Sequence, residues 1–418
     1  MNILHITDLH FGRDPSEGAS DERQLALDRL LNTIEGLDEP WIPTVICLSG
    51  DVAFSGRMEE YELAAAWLKR LLSILHLSPA NLVICPGNHD IERTFARTYA
   101  RPPSSEEADQ CLGTPIAEQY LRAFANFSGF CDKLGMPKYS LGEVDGYLTG
   151  YRCIDGVRFV SLNSSWFCRD DNDSRRLWIG LPLLRHLEAR GQWPRQAEPC
   201  VVLLHHPRED LNSSEIHAST ARLNTFDYIC DRCDLLLSGH THGEVREPEQ
   251  IAARALVFTG GATYAGADYN NSIRILKLAG GFVQYRAFEF DPRTRSWQAS
   301  GDARQRAIGF QTVLPATAAT AVTSIQIWKE LSLAEARRIR ESKSRAAKPA
   351  GALPALIGRS VTVLRIDTRF LVEDKRPMPK PTTSNWPLYE AVRRTPGKRV
   401  LLLGDLGTGK STLLCEFV

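Results

Sequence analysis

The chain is 418 residues long, 43% hydrophobic and 24% charged, with 50 Lys plus Arg against 50 Asp plus Glu. That length and composition fit two to three globular domains with a sizeable core. No run of about eighteen apolar residues appears and the start, "MNILHITDLHFG", lacks the character of a signal peptide, so the expectation is a cytoplasmic protein without a membrane partner. Of ten cysteines only Cys230 and Cys233 form a C-x-x-C pair, with no second pair to complete a metal site, so the thiols are read as structural and reduced. The zero net charge is unevenly spread: residues 1–290 carry 28 basic against 39 acidic side chains, and residues 291–418 carry 22 against 11. An acidic front half attracts polyanions poorly, although bound divalent cations would offset part of it.

Along the first 290 residues, short apolar runs alternate with helical stretches, the pattern of an α/β domain. "NILHIT", "TVICLSG", "NLVICPG", "VRFVSLN", "CVVLLHH", "LLLSGH", "ALVFTGG" and "SIRILKL" read as buried strands. "DERQLALDRLLNTIEGL" and "MEEYELAAAWLKRLLSIL" have the 3.6-residue apolar period of amphipathic helices. Within residues 94–150, "AEQYLRAFANFSGFCDKLG" predicts one inserted helix, with Phe124, Phe127 and Phe130 as its core stripe. Residues 291–395 loosen into a Pro-rich, basic connector with some helical and strand content, and no internal repeat is evident.

Chemistry is expected where loops leave strand ends. Asp8 and His10 follow the first strand at i, i+2, so both project to one side of an extended backbone. Asp51 follows the second strand, Asn88 and His89 the third, His205 and His206 "VVLL", and His240 and His242, again at i, i+2, follow "LLLSG". Six of the ten histidines fall in these segments, which lone turn-capping residues would not explain. Mixed imidazole, carboxylate and amide ligands suit first-row ions such as Mn, Fe, Co, Ni or Zn better than Ca or Mg. The set exceeds what one tetrahedral ion takes and suffices for two if one carboxylate bridges. Gly50, Gly87 and Gly239 each precede a candidate ligand, where a Cβ would obstruct a sharp turn or a close approach. Arg13 and Asn163 could reach the site, but each is read as structural.

Taken in order, "DLH" (8–10), "SGDVAFSG" (49–56), "PGNHD" (86–90), "HHP" (205–207) and "SGHTHG" (238–243) resemble the motifs of the calcineurin-like metallophosphoesterases. The resemblance covers about residues 1–290 and implies a two-layer β-sandwich flanked by helices, with a di-metal site at the strand ends. It further implies that Asp8, His10 and His242 bind one ion, that Asn88, His205 and His240 bind the other, and that Asp51 bridges them. His89 is implied as the catalytic general acid, and His206 is left without a role. Two divalent ions are expected, Mn first and Fe, Zn, Co or Ni as alternatives.

At the other end, "KRVLLLGDLGTGKSTLLCEFV" reads as strand, turn and helix start, and Gly404, Gly409, Lys410 and Ser411, followed by Thr412, fit the phosphate-cradling G-x-x-x-x-G-K-[ST]. With the connector before it, this stretch resembles the opening of a NACHT-type STAND NTPase, a family whose N-terminal domain is often an effector in bacterial anti-phage defence. Only seven residues follow Ser411, so residues 396–418 are expected to be the start of an incomplete NTPase domain, with ATP and oligomerisation belonging to a longer parent protein. The combined expectation is a two-metal phosphodiesterase, nuclease-like, acting on nucleic acid or a nucleotide. The alternatives are a cyclic-nucleotide phosphodiesterase or phosphomonoesterase, and a non-catalytic oligomerising module with a vestigial metal site.

Overall fold

The computed structural model describes residues 1–308, apart from 14–16, 114–115, 117, 142–143, 171, 192–198, 219–222, 244–246, 252–254 and 267, together with 360–364 and 383–387. The chain divides into two units, Met1–Val313 and Leu314–Val418. In the second unit the described residues form one antiparallel pair, Ser360–Leu364 with Thr383–Pro387. The expected P-loop, with Gly404, Gly409, Lys410, Ser411 and Thr412, lies outside the described residues, as does most of the expected connector.

The strands of the first unit begin with β1 (Asn2–Ile6), β2 (Val45–Ser49), β3 (Leu82–Cys85), β4 (Tyr139–Leu141), β5 (Val144–Gly146), β6 (Gly150–Ile154), β7 (Val157–Leu162) and β8 (Cys200–Leu204). They continue as β9 (Leu235–Ser238), β10 (Glu249–Ile251), β11 (Ala255–Thr259), β12 (Ser272–Ala279), β13 (Phe282–Asp291), β14 (Ser296–Ala299) and β15 (Arg304–Ala307). The α-helices are α1 (Glu17–Glu35), α2 (Met58–Ile74), α3 (Arg93–Ala96), α4 (Ser105–Cys111), α5 (Glu118–Arg122), α6 (Ala125–Leu134), α7 (Leu181–Ala189), α8 (Ser213–Ile216) and α9 (Thr225–Cys230).

Two mixed sheets result. One has the order β14-β13-β12-β1-β2-β3 with β15 also on β13; the other runs β10-β11-β9-β8-β7-β6-β4-β5. Strands β1, β2 and β3 are parallel, as are β7, β8, β9 and β11. Their inward faces meet where β2 and β3 pack on β7 and β8. Because these central strands are covered on both sides, every residue of β2, β3, β7, β8 and β9 is buried, and they read in sequence as mainly apolar runs, interrupted in β7 by Arg158 and Ser161. The first sheet continues past residue 290, the boundary that composition suggests, because β14 and β15 both pair with β13.

Strand β3 ends the first sheet, so its outer backbone groups need partners from elsewhere. Tyr139 on β4 supplies them across the layers: its hydroxyl accepts from Ile84 N at 2.6 Å and donates to Ile84 O at 2.7 Å. Ser161 on β7 donates to the same carbonyl at 3.1 Å. Helix α2 buries Tyr61, Ala64, Trp67, Leu68, Leu71 and Leu72 along one stripe, and the Glu60 carboxylate accepts from the amides of Ser55 and Arg57 to fix its start.

The inserted helix expected around residues 117–135 is two helices, α5 and α6. Between them the Ala123 carbonyl turns out of the helix to accept Glu92 N at 3.0 Å, and Phe124 (φ −106°, ψ 17°) leaves helical geometry. Phe124, Phe127 and Phe130 are all buried, with Phe130 stacked on Tyr61 at 5.0 Å. Cys230 and Cys233 are buried and free.

Replacing Tyr139 by Phe leaves the Ile84 amide buried without a partner. The expected cost is about 1–3 kcal/mol of unfolding free energy, read from the shift of the urea midpoint. An unchanged midpoint would show that the inter-layer bonds contribute nothing net.

Candidate metal centre

The parallel strands of both sheets deliver their C-terminal ends to one place. Asp8 and His10 leave β1, Asp51 leaves β2, Asn88 and His89 leave β3, His205 and His206 leave β8, and His240 and His242 leave β9. Five of these residues hold left-handed backbone: Asp8 (φ 54°), His10 (46°), Asp51 (54°), His240 (72°) and His242 (48°). Such conformations cost on the order of 1–3 kcal/mol each outside glycine, so the surroundings must enforce them. They do so partly through the backbone, since Asp8 N donates to Gly50 O and His10 N to Asp51 O, both at 3.0 Å.

Two clusters result, Asp8–His10–Asp51–His242 and His205–His206–His240, with the candidate ligand atoms of each within 4.8 Å of one another. In the first, Asp8 Oδ2 is occupied by the Thr7 hydroxyl at 2.7 Å and the His240 amide at 2.9 Å. That leaves Oδ1 facing His242 Nε2 at 3.1 Å and His10 Nε2 at 3.6 Å. Burial opposes ionisation of Asp8, but its contacts with His10 and His242 outweigh burial and hold the carboxyl well below its ordinary pKa. Burial pushes His10 down to about 4, leaving a neutral ring with a lone pair to offer.

In the second cluster, Asn88 Oδ1 lies 3.2 Å from His205 Nε2, 3.1 Å from His206 Nε2 and 3.1 Å from His240 Nδ1. His205 donates its Nδ1–H to Ser49 O at 2.7 Å, so in the neutral ring Nε2 carries a lone pair. That lone pair would face the Asn88 oxygen and, at 3.3 Å, Asp51 Oδ2. Acceptors do not attract one another, so either a proton or a metal cation belongs between them. With protons alone, Asp51 raises His205 to about 10 against the lowering effect of burial. Burial drives His206 and His240 below the usual imidazole range, as ligands require.

Asp51 joins the two clusters. Its Oδ1 accepts the His89 amide at 2.8 Å, whereas Oδ2 is buried without a hydrogen bond and faces His205 and, at 3.8 Å, His10. An unpartnered buried carboxylate oxygen between two sets of imidazoles fits a bridging ligand, and the donor set fits two divalent first-row ions.

Glycines permit the approach. A Cβ on Gly87 would lie 2.5 Å from Asp51 N and overlap Asp51 Oδ1, and Gly50, at φ 91°, packs directly against the His205 ring. His89 stands beside His10 with ring centroids 4.8 Å apart, stacks on Phe54 at 5.0 Å, and donates its Nδ1–H to Phe54 O at 2.6 Å.

All eight expected site residues, Asp8, His10, Asp51, Asn88, His89, His205, His240 and His242, are thus gathered in one place. Asn163, read from the sequence as structural, accepts Ser165 N at 2.7 Å. Sequence reasoning names His206 but gives it no role; the fold turns it into the second cluster, with Ser164 Oγ and its Nδ1 hydrogen-bonded at 2.8 Å. It also gives no role to Asp90, whose carboxylate accepts from the amides of Val52, Ala53 and Gly87 and from the Tyr61 hydroxyl, tying the β2 loop to the β3 loop. Burial, with Asp51 nearby, raises Asp90 to about 7. The doublet "HH" and the Asp of "GNHD" were the available signals.

Residues 1–244 match the family model of the calcineurin-like phosphoesterases, and the chain belongs to this family. It therefore carries a metallophosphoesterase domain, a metal-dependent hydrolase for which the family implies two divalent ions. The uncharacterized metallophosphoesterase-like protein YydB of Bacillus subtilis (strain 168) is 24% identical over 252 residues, which cover 58% of this chain and 49% of that protein. The chain thus spans about half the length of this curated relative. Among solved structures, a dimetal phosphatase from Danio rerio aligns over 74% of this chain and 99% of its own, at 12% identity and a TM-score of 0.39. The NAD nucleotidase of Haemophilus influenzae aligns over 74% and 50%, at 11% identity and a TM-score of 0.31. Among the described residues, no helix is long and apolar enough to cross a membrane.

Adding Mn²⁺ to chelator-stripped protein is expected to raise the melting temperature, since a ligand at 100 times its Kd stabilises by about 2.7 kcal/mol. Asp51→Asn should lose most of that rise. If neither protein responds to metal, the cluster holds no ion.

Proposed function

We propose that the domain hydrolyses phosphodiester bonds of nucleic acid or nucleotide substrates, with Mn²⁺ as the first candidate metal. One observation carries this reading: Asp51 Oδ2, without a hydrogen bond, lies between the two clusters, 3.3 Å from His205 Nε2 and 3.8 Å from His10 Nε2, and an imidazole outside both, His89, stands beside His10. Asp8, His10 and His242 would hold one ion, Asn88, His205 and His240 the other with His206 beside them, and Asp51 both. When bound, such a pair supplies Lewis acidity at the phosphoryl group and lowers the pKa of a water nucleophile.

The chain's own contribution is orientation and a proton. In protonated His89, Nδ1–H stays on the Phe54 carbonyl, so the proton available for transfer is the one on Nε2. Giving it to the departing oxygen leaves the neutral tautomer that the carbonyl already favours, without ring motion. Stacking on Phe54 and the edge contact with His10 keep the ring in place.

The wider reading is a nuclease-like effector coupled to a nucleotide-responsive module, as in bacterial anti-phage defence, with partners and oligomerisation through that module. Its support is the sequence alone, in Gly404, Gly409, Lys410, Ser411 and Thr412. A second reading, a cyclic-nucleotide phosphodiesterase or phosphomonoesterase, is favoured by the acidic balance of residues 1–290, which disfavours nonspecific binding to duplex DNA.

The test is incubation with Mn²⁺ and, separately, plasmid, single-stranded DNA, RNA, cyclic nucleotides, a phosphomonoester and a generic phosphodiester. Polymer cleavage is expected; turnover of cyclic nucleotide or monoester alone selects the second reading, and silence with bound metal removes both. His89→Asn should keep its metal and its melting temperature while turnover falls about 10²–10⁴-fold. Unchanged rates would remove His89 from the chemistry.

A further inference from the structure

We infer that Arg13 is a substrate-binding residue, gripping non-bridging oxygens of the phosphate or phosphodiester anion that the histidine cluster receives. The inference rests on the proposed hydrolysis for its substrate class, but its own evidence is the placement of one guanidinium. Arg13 follows the turn that begins at His10, its amide donating to His10 O at 3.1 Å, so the side chain departs from the metal-ligand loop itself. The guanidinium carbon lies 5.9 Å from the Phe54 ring centroid and 5.1 Å from that of Tyr269, and Nη2 donates to the Tyr269 hydroxyl at 3.3 Å.

Those two rings are walls of the site. Phe54 stacks on His89, and Tyr269 meets His242 edge-on at 5.6 Å. Arg13 therefore spans the gap between the side of the proton-donating imidazole and the side of a ligand imidazole. Among the described residues it forms no salt bridge, whereas Arg70, Arg101, Arg232 and Arg304 are each paired with carboxylates. Aromatic contacts hold the cation without neutralising it, and leave most of its five N–H donors for an anion. Tyr269 is 41% exposed, and its ring holds Arg13 on the side where it meets His242. Tyr269 is accordingly a positioning residue for the arginine. The planar fork suits two oxygens of one phosphoryl group, which a lysine ammonium would not reproduce.

The first measurement uses inorganic phosphate as the probe, by calorimetric titration of the Mn²⁺-loaded full chain. Arg13→Ala is expected to weaken phosphate binding roughly tenfold or more, Arg13→Lys to recover only part, and Tyr269→Ala to fall between. Metal content and melting temperature should stay at wild-type values in all three. With any phosphoester that the wild type turns over, Arg13→Ala should raise KM by a similar factor and change kcat less, the mark of binding lost equally from ground and transition states. Wild-type phosphate affinity in Arg13→Ala would overturn the assignment. So would loss of metal together with phosphate, because Arg13 would then be a brace for the ligand loop. If the wild type hydrolyses no phosphoester but the phosphate result holds, the hydrolytic reading fails while the anion site stands.

Discussion

A carboxylate oxygen buried without a hydrogen bond is unfavourable unless a positive charge stands beside it. Asp51 Oδ2 is such an oxygen, and much of the first unit is arranged so that the charge can be supplied there. Around it converge His10 from β1, His205 from β8 and, through Asn88, the loop after β3. These elements belong to two sheets, so the stacking of β2 and β3 on β7 and β8 sets the separation of the clusters. The cross-layer bonds from Tyr139 and Ser161 to Ile84 fix that stacking one residue before the end of β3 and two before Pro86, where "PGNHD" begins.

The loops then have to turn sharply. An i, i+2 pair shares a face in extended backbone, but Asp8, His10, His240 and His242 have left the extended conformation that this spacing suggests, and their loops turn toward one point. The left-handed conformations at Asp8, His10, Asp51, His240 and His242 make that turn, and their combined cost is several kcal/mol by the range for single residues. Asp90 offsets part of it by collecting three amides and a hydroxyl from loops that would otherwise leave donors buried and unmade. Arg23 acts in the same way from α1, donating to the carbonyls of Leu9 and Tyr264 and so anchoring the ligand loop after β1.

What was legible in the sequence follows from which forces are local. Strands β1, β2, β3, β7, β8, β9, β11 and β12 announce themselves as apolar runs because most lie inside a sheet covered on both faces. The strand β13, "FVQYRAFEFD", mixes exposed and buried positions, and β4, β5 and β10 are three residues each, too short to set a period. The break between α5 and α6 depends on the Glu92 amide, a partner some thirty residues away that no helical pattern encodes. Within the site, Asp8, His10, His240 and His242 were readable because their spacing is a local property. His206 was not, because adjacent strand residues ordinarily point to opposite faces, and only the turn after β8 brings both imidazoles to Asn88. Arg13 was read as structural because its significance lies in two rings, Phe54 and Tyr269, that are 215 positions apart in sequence and adjacent only in the fold.

The partner of His89 completes the electrostatic logic of the site. For the acid role proposed for His89, a carboxylate against Nδ1 would orient the ring, but its charge would also favour the imidazolium and hold the proton to be released. The Phe54 carbonyl fixes the same tautomer with a dipole in place of a full charge. The site already concentrates negative charge on Asp8 and Asp51, and a third ionised group beside His89 would repel the anionic substrate proposed for it. His89 instead stacks on Phe54, whose ring also lies 5.9 Å from the Arg13 guanidinium, so the wall beside the proposed acid carries a positive charge that suits the arrival of a phosphate.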